Sequence, residues 1–352
     1  GEHPVDQNVT TWWPGKDPSA NVFRYLGGYQ VVSTVQPGVG YWMKHAGDNT
    51  YNTGDEWPAG GINIVPHDPL TAAAGWNIIG GYEFLAPTAA LTTNPSGLIS
   101  GLVYGYTAGS GYQVASDLVP GYGYWIKLTA DGQINVNPGP KASFKLAELI
   151  GENAGKIIIT DNAGRSYTLY VLQDKQTNKV SLDYFELPPV PFTDMFDVRY
   201  TSGRFVEDLS SAMKTIQMQG VEYPVKVRVE GMMLRISDES GKIVNERIKS
   251  GEEVTISNPA VSKLNVMSDI IPDKYSLEQN YPNPFNPTTT IEFSLPEDVE
   301  NVRLTIYNAL GEKVAELVNG KMEAGKYRYQ WNAGNVATGL YIYELKTNKF
   351  SS

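Results

Sequence analysis

His3, His45 and His67 are the chain's whole supply of imidazole, the commonest general base in enzymes. His3 lies near the start, and His67 sits in the loop-like Pro66-His67-Asp68-Pro69. His45 follows a Tyr-Trp-Met-Lys run whose repeat carries Leu128 at that place. Each reads as a surface or packing residue. Paired carboxylates across a cleft would suit glycoside hydrolysis, and Asp48, Asp55 and Glu56 do gather in a Gly/Asn-rich stretch. That stretch has no counterpart in the repeat and reads as a solvated loop. The same acids could hold Ca²⁺, but their spacing is not that of an EF-hand. No His-Glu-x-x-His, Gly-x-Ser-x-Gly or phosphate loop occurs. Gly38-Val39-Gly40 and Gly121-Tyr122-Gly123 lack the third glycine and read as strand turns. The absence of cysteine among 352 residues removes thiol nucleophiles, disulfides and thiolate metal sites together. The expectation is a non-enzyme with no catalytic residue, cofactor or metal.

Binding is better served, by Trp12, Trp13, Trp42, Trp57, Trp76 and Trp125 among many tyrosines. Flat rings offer large contact area at low entropic cost to a sugar or a protein surface. Trp42 and Trp125 stand at matching places in two copies of a repeat, which favours a shared core, with contact to a glycan or partner as the alternative. A formal net charge of −10 argues against nucleic-acid partners, which select basic patches. No apolar run is long enough to span a bilayer as a helix.

The elements that carry these rings are short and β-rich. Tyr29 and Tyr112, Pro37 and Pro120, and Trp42 and Trp125 stand at one offset of 83 positions, the mark of a duplication. Each copy reads as strand, turn, strand, a Pro-Gly-x-Gly turn, then a strand on Tyr-Trp-x-Lys. The second copy also has the upstream strand Gly75-Trp76-Asn77-Ile78-Ile79-Gly80, whose equivalent would fall before Gly1. The first copy is therefore expected to be truncated and a longer precursor to lie upstream. We place this duplicated domain at 1–140, with copies at about 1–68 and 69–140.

A middle β-sandwich is expected over 141–268. Lys156–Thr160 and Ser166–Val171 form a hairpin around Asp161-Asn162-Ala163-Gly164, and Met233–Ser237 turns into Lys242-Ile243-Val244. Glu252–Ile256 and Lys263–Val266 add strands, while Leu187-Pro188-Pro189-Val190-Pro191 must cross over without one. Phe144–Ile150 reads as strand or short helix.

After a stiff linker at 269–273, a second sandwich fills 274–352. It opens on Asn280-Tyr281-Pro282-Asn283-Pro284-Phe285-Asn286-Pro287, where proline three times pushes its predecessor out of the helical region. Strands follow at Val302–Tyr307, Lys313–Val318, Ala324–Trp331 and Gly339–Leu345.

Tyr275-Ser276-Leu277, the run Asn280 to Thr289, Ile306-Tyr307-Asn308 with Gly311, Trp331, and Gly339-Leu340-Tyr341 resemble the type A C-terminal sorting domain of type IX secretion substrates, a family of Bacteroidetes and their relatives. The resemblance implies export to the cell surface or beyond and contact with the type IX machinery. It makes Asn280, Pro282, Asn283, Pro284, Phe285, Asn286 and Pro287 the sorting motif. Family members usually end in a further basic, hydrophobic strand, whereas this chain stops at Phe350-Ser351-Ser352. The chain is thus expected to be all-β, with a duplicated Tyr/Gly-rich domain and two Ig-like sandwiches. Its expected role is that of a secreted structural or adhesive protein, self-associating into a matrix or filament. The alternative is a carbohydrate-binding accessory part of a larger secreted hydrolase.

Overall fold

The computed structural model describes residues 2–4, 6–13, 15–43, 62–64, 67–82, 84–141, 144–172, 181–210, 213–269, 272 and 274–352. They are almost all β, and divide into two compact units, Gly1–Met267 and Ser268–Ser352. The stretch read as strand or short helix holds the four-residue helix Ala147–Ile150, ended by Gly151 at φ 85°.

The duplication is visible as matched geometry. In the first copy Val22–Tyr25 is flanked by Tyr29–Val32 and Trp42–Met43. In the second, Tyr104–Thr107 is flanked by Gly111–Val114 and Gly123–Leu128, and Gly75–Gly80 adds a fourth strand. Phe23 pairs with Trp42 as Tyr104 pairs with Trp125. Tyr25 faces Tyr29 across its hairpin as Tyr106 faces Tyr112, the second hairpin having one further pair, Thr107 with Gly111, before its turn. Even the turn lock repeats: the Gln36 N–H donates to the Tyr41 hydroxyl (2.7 Å), and the Val119 N–H to that of Tyr124 (2.9 Å).

Gly75–Gly80 serves both copies. One edge pairs in register with Gly123–Leu128. Against the other lies the first copy's Gly-x-Gly turn, with Gly40 N donating to Ile78 O (3.1 Å) and Gly80 N to Gly38 O (2.9 Å). A side chain at Gly40 would put its Cβ 2.4 Å from Ile78 Cγ2 and 2.6 Å from Ile79 O, so only glycine permits this approach.

The middle region is two facing five-stranded sheets. One runs in the order Val206–Asp208, Ser166–Leu172, Gly155–Thr160, Val225–Glu230, Glu253–Ile256. The other runs Asp197–Tyr200, Lys214–Gln219, Lys263–Ser268, Leu234–Ser237, Asn245–Ile248. Val225, Val227 and Val229 point inward while Lys226 and Arg228 point out, the period of two that half-buried strands require. The join expected near residue 140 is crossed by one apolar core, in which Trp42, Tyr104, Tyr112 and Trp125 pack with Ile157, Leu169, Phe185 and Val198.

One expected strand moves. Lys242–Val244 belongs to the turn, and the returning strand begins at Asn245. The cause is Asp238, whose carboxylate accepts from the N–H groups of Ser240 (2.9 Å), Ile243 (2.9 Å) and Val244 (2.8 Å) and so holds the loop open. Leu187–Pro191 carries no strand. It is tied down by Arg199 Nη1 donating to Pro188 O (2.7 Å) and by the Tyr112 hydroxyl donating to Pro189 O (2.9 Å).

The second unit is a sandwich of two three-stranded sheets, Ser276–Leu277, Thr288–Leu295, Gly325–Asn332 against Lys313–Met322, Val299–Asn308, Tyr341–Lys346. Its core holds Ile291, Phe293, Leu304, Ile306, Trp331 and Leu345.

Candidate functional site

Two constellations were legible as candidates: the paired tryptophans and the Asn-Pro run. Trp42 and Trp125 come together with ring centroids 6.4 Å apart. Each also takes a tyrosine from the opposite copy: Trp42 packs on Tyr106 at 4.7 Å, and Trp125 on Tyr25 at 4.9 Å. Tyr29 and Tyr112 complete the exchange, at 6.2 Å from Trp125 and 6.4 Å from Trp42. Edge-to-face and tilted contacts at these separations are the favoured geometries of aromatic pairs. Trp42 is 8% exposed and Trp125 1%. With their faces covered by protein rings, neither offers a platform for a sugar or a partner, which corrects that reading of the pair. They are core residues.

The rings meet a buried ion pair at the seam with the sandwich. Arg199 donates to Asp197 through Nε (2.6 Å) and Nη2 (2.7 Å), both residues 3% exposed, and its guanidinium lies 5.7 Å from the Tyr112 ring centre. Burial opposes the Arg199 charge, but the two bonds to Asp197 more than offset it and hold its pKa above the usual value. Burial pushes the Tyr29 phenol up to about 12, and raises those of Tyr106 and Tyr112 as well.

Of the histidine and carboxylate candidates only His67 is described with its side chain. His67 packs against Tyr82 (4.5 Å) and Phe84 (5.1 Å). The side chain of His3, and His45, Asp48, Asp55, Glu56 and Trp57, lie outside the described residues. Trp12 and Trp13 are half-buried, Trp13 lying 6.5 Å from Tyr41, and Trp76 packs on Tyr104 and Trp125. Among the described residues no group of three or more His, Asp or Glu could hold a metal ion.

The Asn-Pro run is a clamped loop. Asn280 Nδ2 donates to Thr289 Oγ1 (2.9 Å) and to Pro282 O (3.3 Å), while the Thr289 hydroxyl donates to the same carbonyl (2.9 Å). Asn280 N–H donates to the Tyr343 hydroxyl (2.9 Å), which in turn donates to Glu278 O (2.9 Å). At the far end Pro287 O accepts from Ala333 N (2.9 Å), and Phe285 packs on Trp331 at 5.4 Å. Asn280 and Thr289 are buried, whereas Pro282, Asn283, Pro284, Asn286 and Pro287 are exposed and Tyr281 is 81% so. The motif therefore splits into residues that hold the loop and residues it presents. Sequence reasoning missed Thr289 and Tyr343, the partners of Asn280. Thr289 is the middle one of three threonines that follow Pro287, so nothing in the sequence singled it out, and Tyr343 lies too far along the chain to leave a signal.

The second unit is thus a small β-sandwich opened by a clamped, solvent-facing Asn-Pro loop. Residues 279–352 match the family described as the secretion system C-terminal sorting domain. The chain is accordingly a type IX secretion substrate, exported from the cell, and its sorting domain engages the secretion machinery. No curated protein and no solved structure matches the chain. Among the described residues no helix is long and apolar enough to cross a membrane.

Proposed function

We propose that the exported chain is a non-enzymatic structural or adhesive protein of the cell surface or its surroundings, associating with copies of itself through sheet edges. The observation that carries this reading is the strand Tyr341–Lys346, which ends its three-stranded sheet and exposes Ile342 (55%), next to Leu340 (70%). The terminal residues already add to that edge: Leu345 N donates to Ser352 O (3.0 Å) and Ser352 N to Leu345 O (3.1 Å). By the two-residue alternation of an antiparallel ladder, the same edge continues outward at Tyr343 and Tyr341. Edges of this kind recruit further strands unless blocked by charge or proline.

Sedimentation velocity and electron microscopy across a concentration series test the reading. Assembly beyond the monomer is expected, and Ile342→Lys should abolish it without lowering the melting temperature, since the side chain is half in solvent. A chain that stays monomeric throughout the series would sink it.

A further inference from the structure

The second-copy strand Leu70–Ala72, the Gly75–Gly80 strand and the first copy's Gln36–Val39 turn enclose a cleft of about 610 Å³, within the range of ligand pockets. Its floor is apolar, made by Val39, Leu70 and Ile78. Its rim is polar: Arg24, Gln36 and Asp68 come from the first copy, Thr71 and Asp131 from the second. The walls are fixed. Gly38, at φ 75°, sits where a Cβ would lie 2.2 Å from Leu70 Cδ2, and Tyr82 anchors the rim by donating to Asp68 O (2.8 Å). Asp131 is held by accepting from Ala74 N (2.8 Å) through Oδ1, and Arg24 by donating from Nε to Gln30 Oε1 (3.0 Å). That leaves Asp131 Oδ2 and the two Nη groups of Arg24 available for a ligand among the described residues.

We infer that this cleft binds a short neutral oligosaccharide. A pyranose has an apolar C–H face and a ring of hydroxyls that both donate and accept. The cleft offers an apolar floor, carboxylate acceptors at Asp68 and Asp131, and a fan of donors at Arg24. Hydrogen bonds to charged groups are the stronger kind, and rigid partners lower the cost of ordering a ligand. Two carboxylates against one guanidinium, on a chain of net charge −10, disfavour acidic sugars and phosphates. The inference does not depend on the edge-association reading, and the cleft lies wholly within the first unit.

Calorimetric titration of the full chain with cello-, xylo- and mannohexaose, beside oligogalacturonate and Lys-Lys, tests it. At least one neutral hexaose should bind and the acidic one should not. Arg24→Ala and Asp68→Ala should each weaken binding by about tenfold or more. Both side chains are exposed, so unfolding should not obscure the result. Thr71→Trp, which fills the cleft from an exposed position, should abolish binding at an unchanged melting temperature. Absence of binding by every neutral hexaose, binding untouched by all three substitutions, or preference for oligogalacturonate or Lys-Lys would each overturn it.

Discussion

Trp42 and Trp125, equivalent residues of two sequence copies, lie 6.4 Å apart, and each is covered by the other copy's tyrosine. The duplication is thus a reciprocal exchange of rings, and neither copy buries its own tryptophan alone. Truncating either indole should therefore be felt by both copies. Trp42→Ala or Trp125→Ala is expected to cost about 3–5 kcal/mol in urea unfolding of the first unit. Because the two indoles touch and share Tyr112, the double substitution should cost less than the sum. Additive losses would mean that the copies are independently packed.

The same burial sets an alkaline limit. Desolvation raises the Tyr29 pKa from 10.0 to about 12, so the folded chain keeps a proton that the unfolded chain has lost. Its contribution to stability is complete below pH 10 and disappears as the pH climbs through about 12. Tyr106 and Tyr112, also raised, act in the same direction. Circular dichroism during base titration should show the first unit unfolding within or just above this window. Tyr29→Phe should move that loss to higher pH. An unfolding pH unaffected by the substitution would refute the linkage.

The ion pair behind the rings gives predictions of different size for single and double changes. Asp197→Ala leaves the Arg199 charge buried without its partner and should cost about 3–5 kcal/mol. Replacing both, Asp197→Leu with Arg199→Met, should recover most of that loss. Recovery will be incomplete, because Pro188 O then loses its donor as well. Denaturant midpoints of the three proteins decide it, and a double variant no better than Asp197→Ala would contradict the argument.

What could be read from the sequence was what repeats locally. Hairpins announced themselves by an Asp or Asn followed three residues later by a glycine: Asp161 with Gly164 (φ 80°), and Asn308 with Gly311 (φ 80°). The same signal at Asp238 and Gly241 misplaced a strand, since three N–H groups on one carboxylate stretched the loop to Val244. The tryptophan repeat was legible as a duplication, but the partner of each ring lies in the other copy, and pairing at a distance leaves no local trace. For the same reason the core that joins the duplicated region to the sandwich was invisible. Neither Trp42 nor Phe185, which share it, carries any mark of the other. The cleft was likewise beyond reach, because Arg24, Asp68 and Asp131 meet only through the Gly38–Gly40 turn seated on the Gly75–Gly80 strand.

The division inside the sorting motif is testable position by position. Asn280 is buried and engages Thr289, Pro282 O and the Tyr343 hydroxyl, whereas Asn283 and Asn286 are exposed. Asn280→Ala removes the side-chain donor to Thr289 and to Pro282 O while keeping the backbone bond to Tyr343. It should lower the stability of the second unit by about 1–3 kcal/mol. Asn283→Ala and Asn286→Ala should change it by no more than about 0.5 kcal/mol, as surface substitutions do. Tyr343→Phe tests the other half of the clamp: it strips the hydroxyl that bridges Asn280 N and Glu278 O, and should destabilise the unit while leaving the ring's packing intact. Differential scanning calorimetry of the full chain follows the second unit's transition in all four variants. Equal losses at Asn280, Asn283 and Asn286 would mean that the exposed asparagines hold the loop as firmly as the buried one, and that the motif does not divide into residues that hold and residues that are presented.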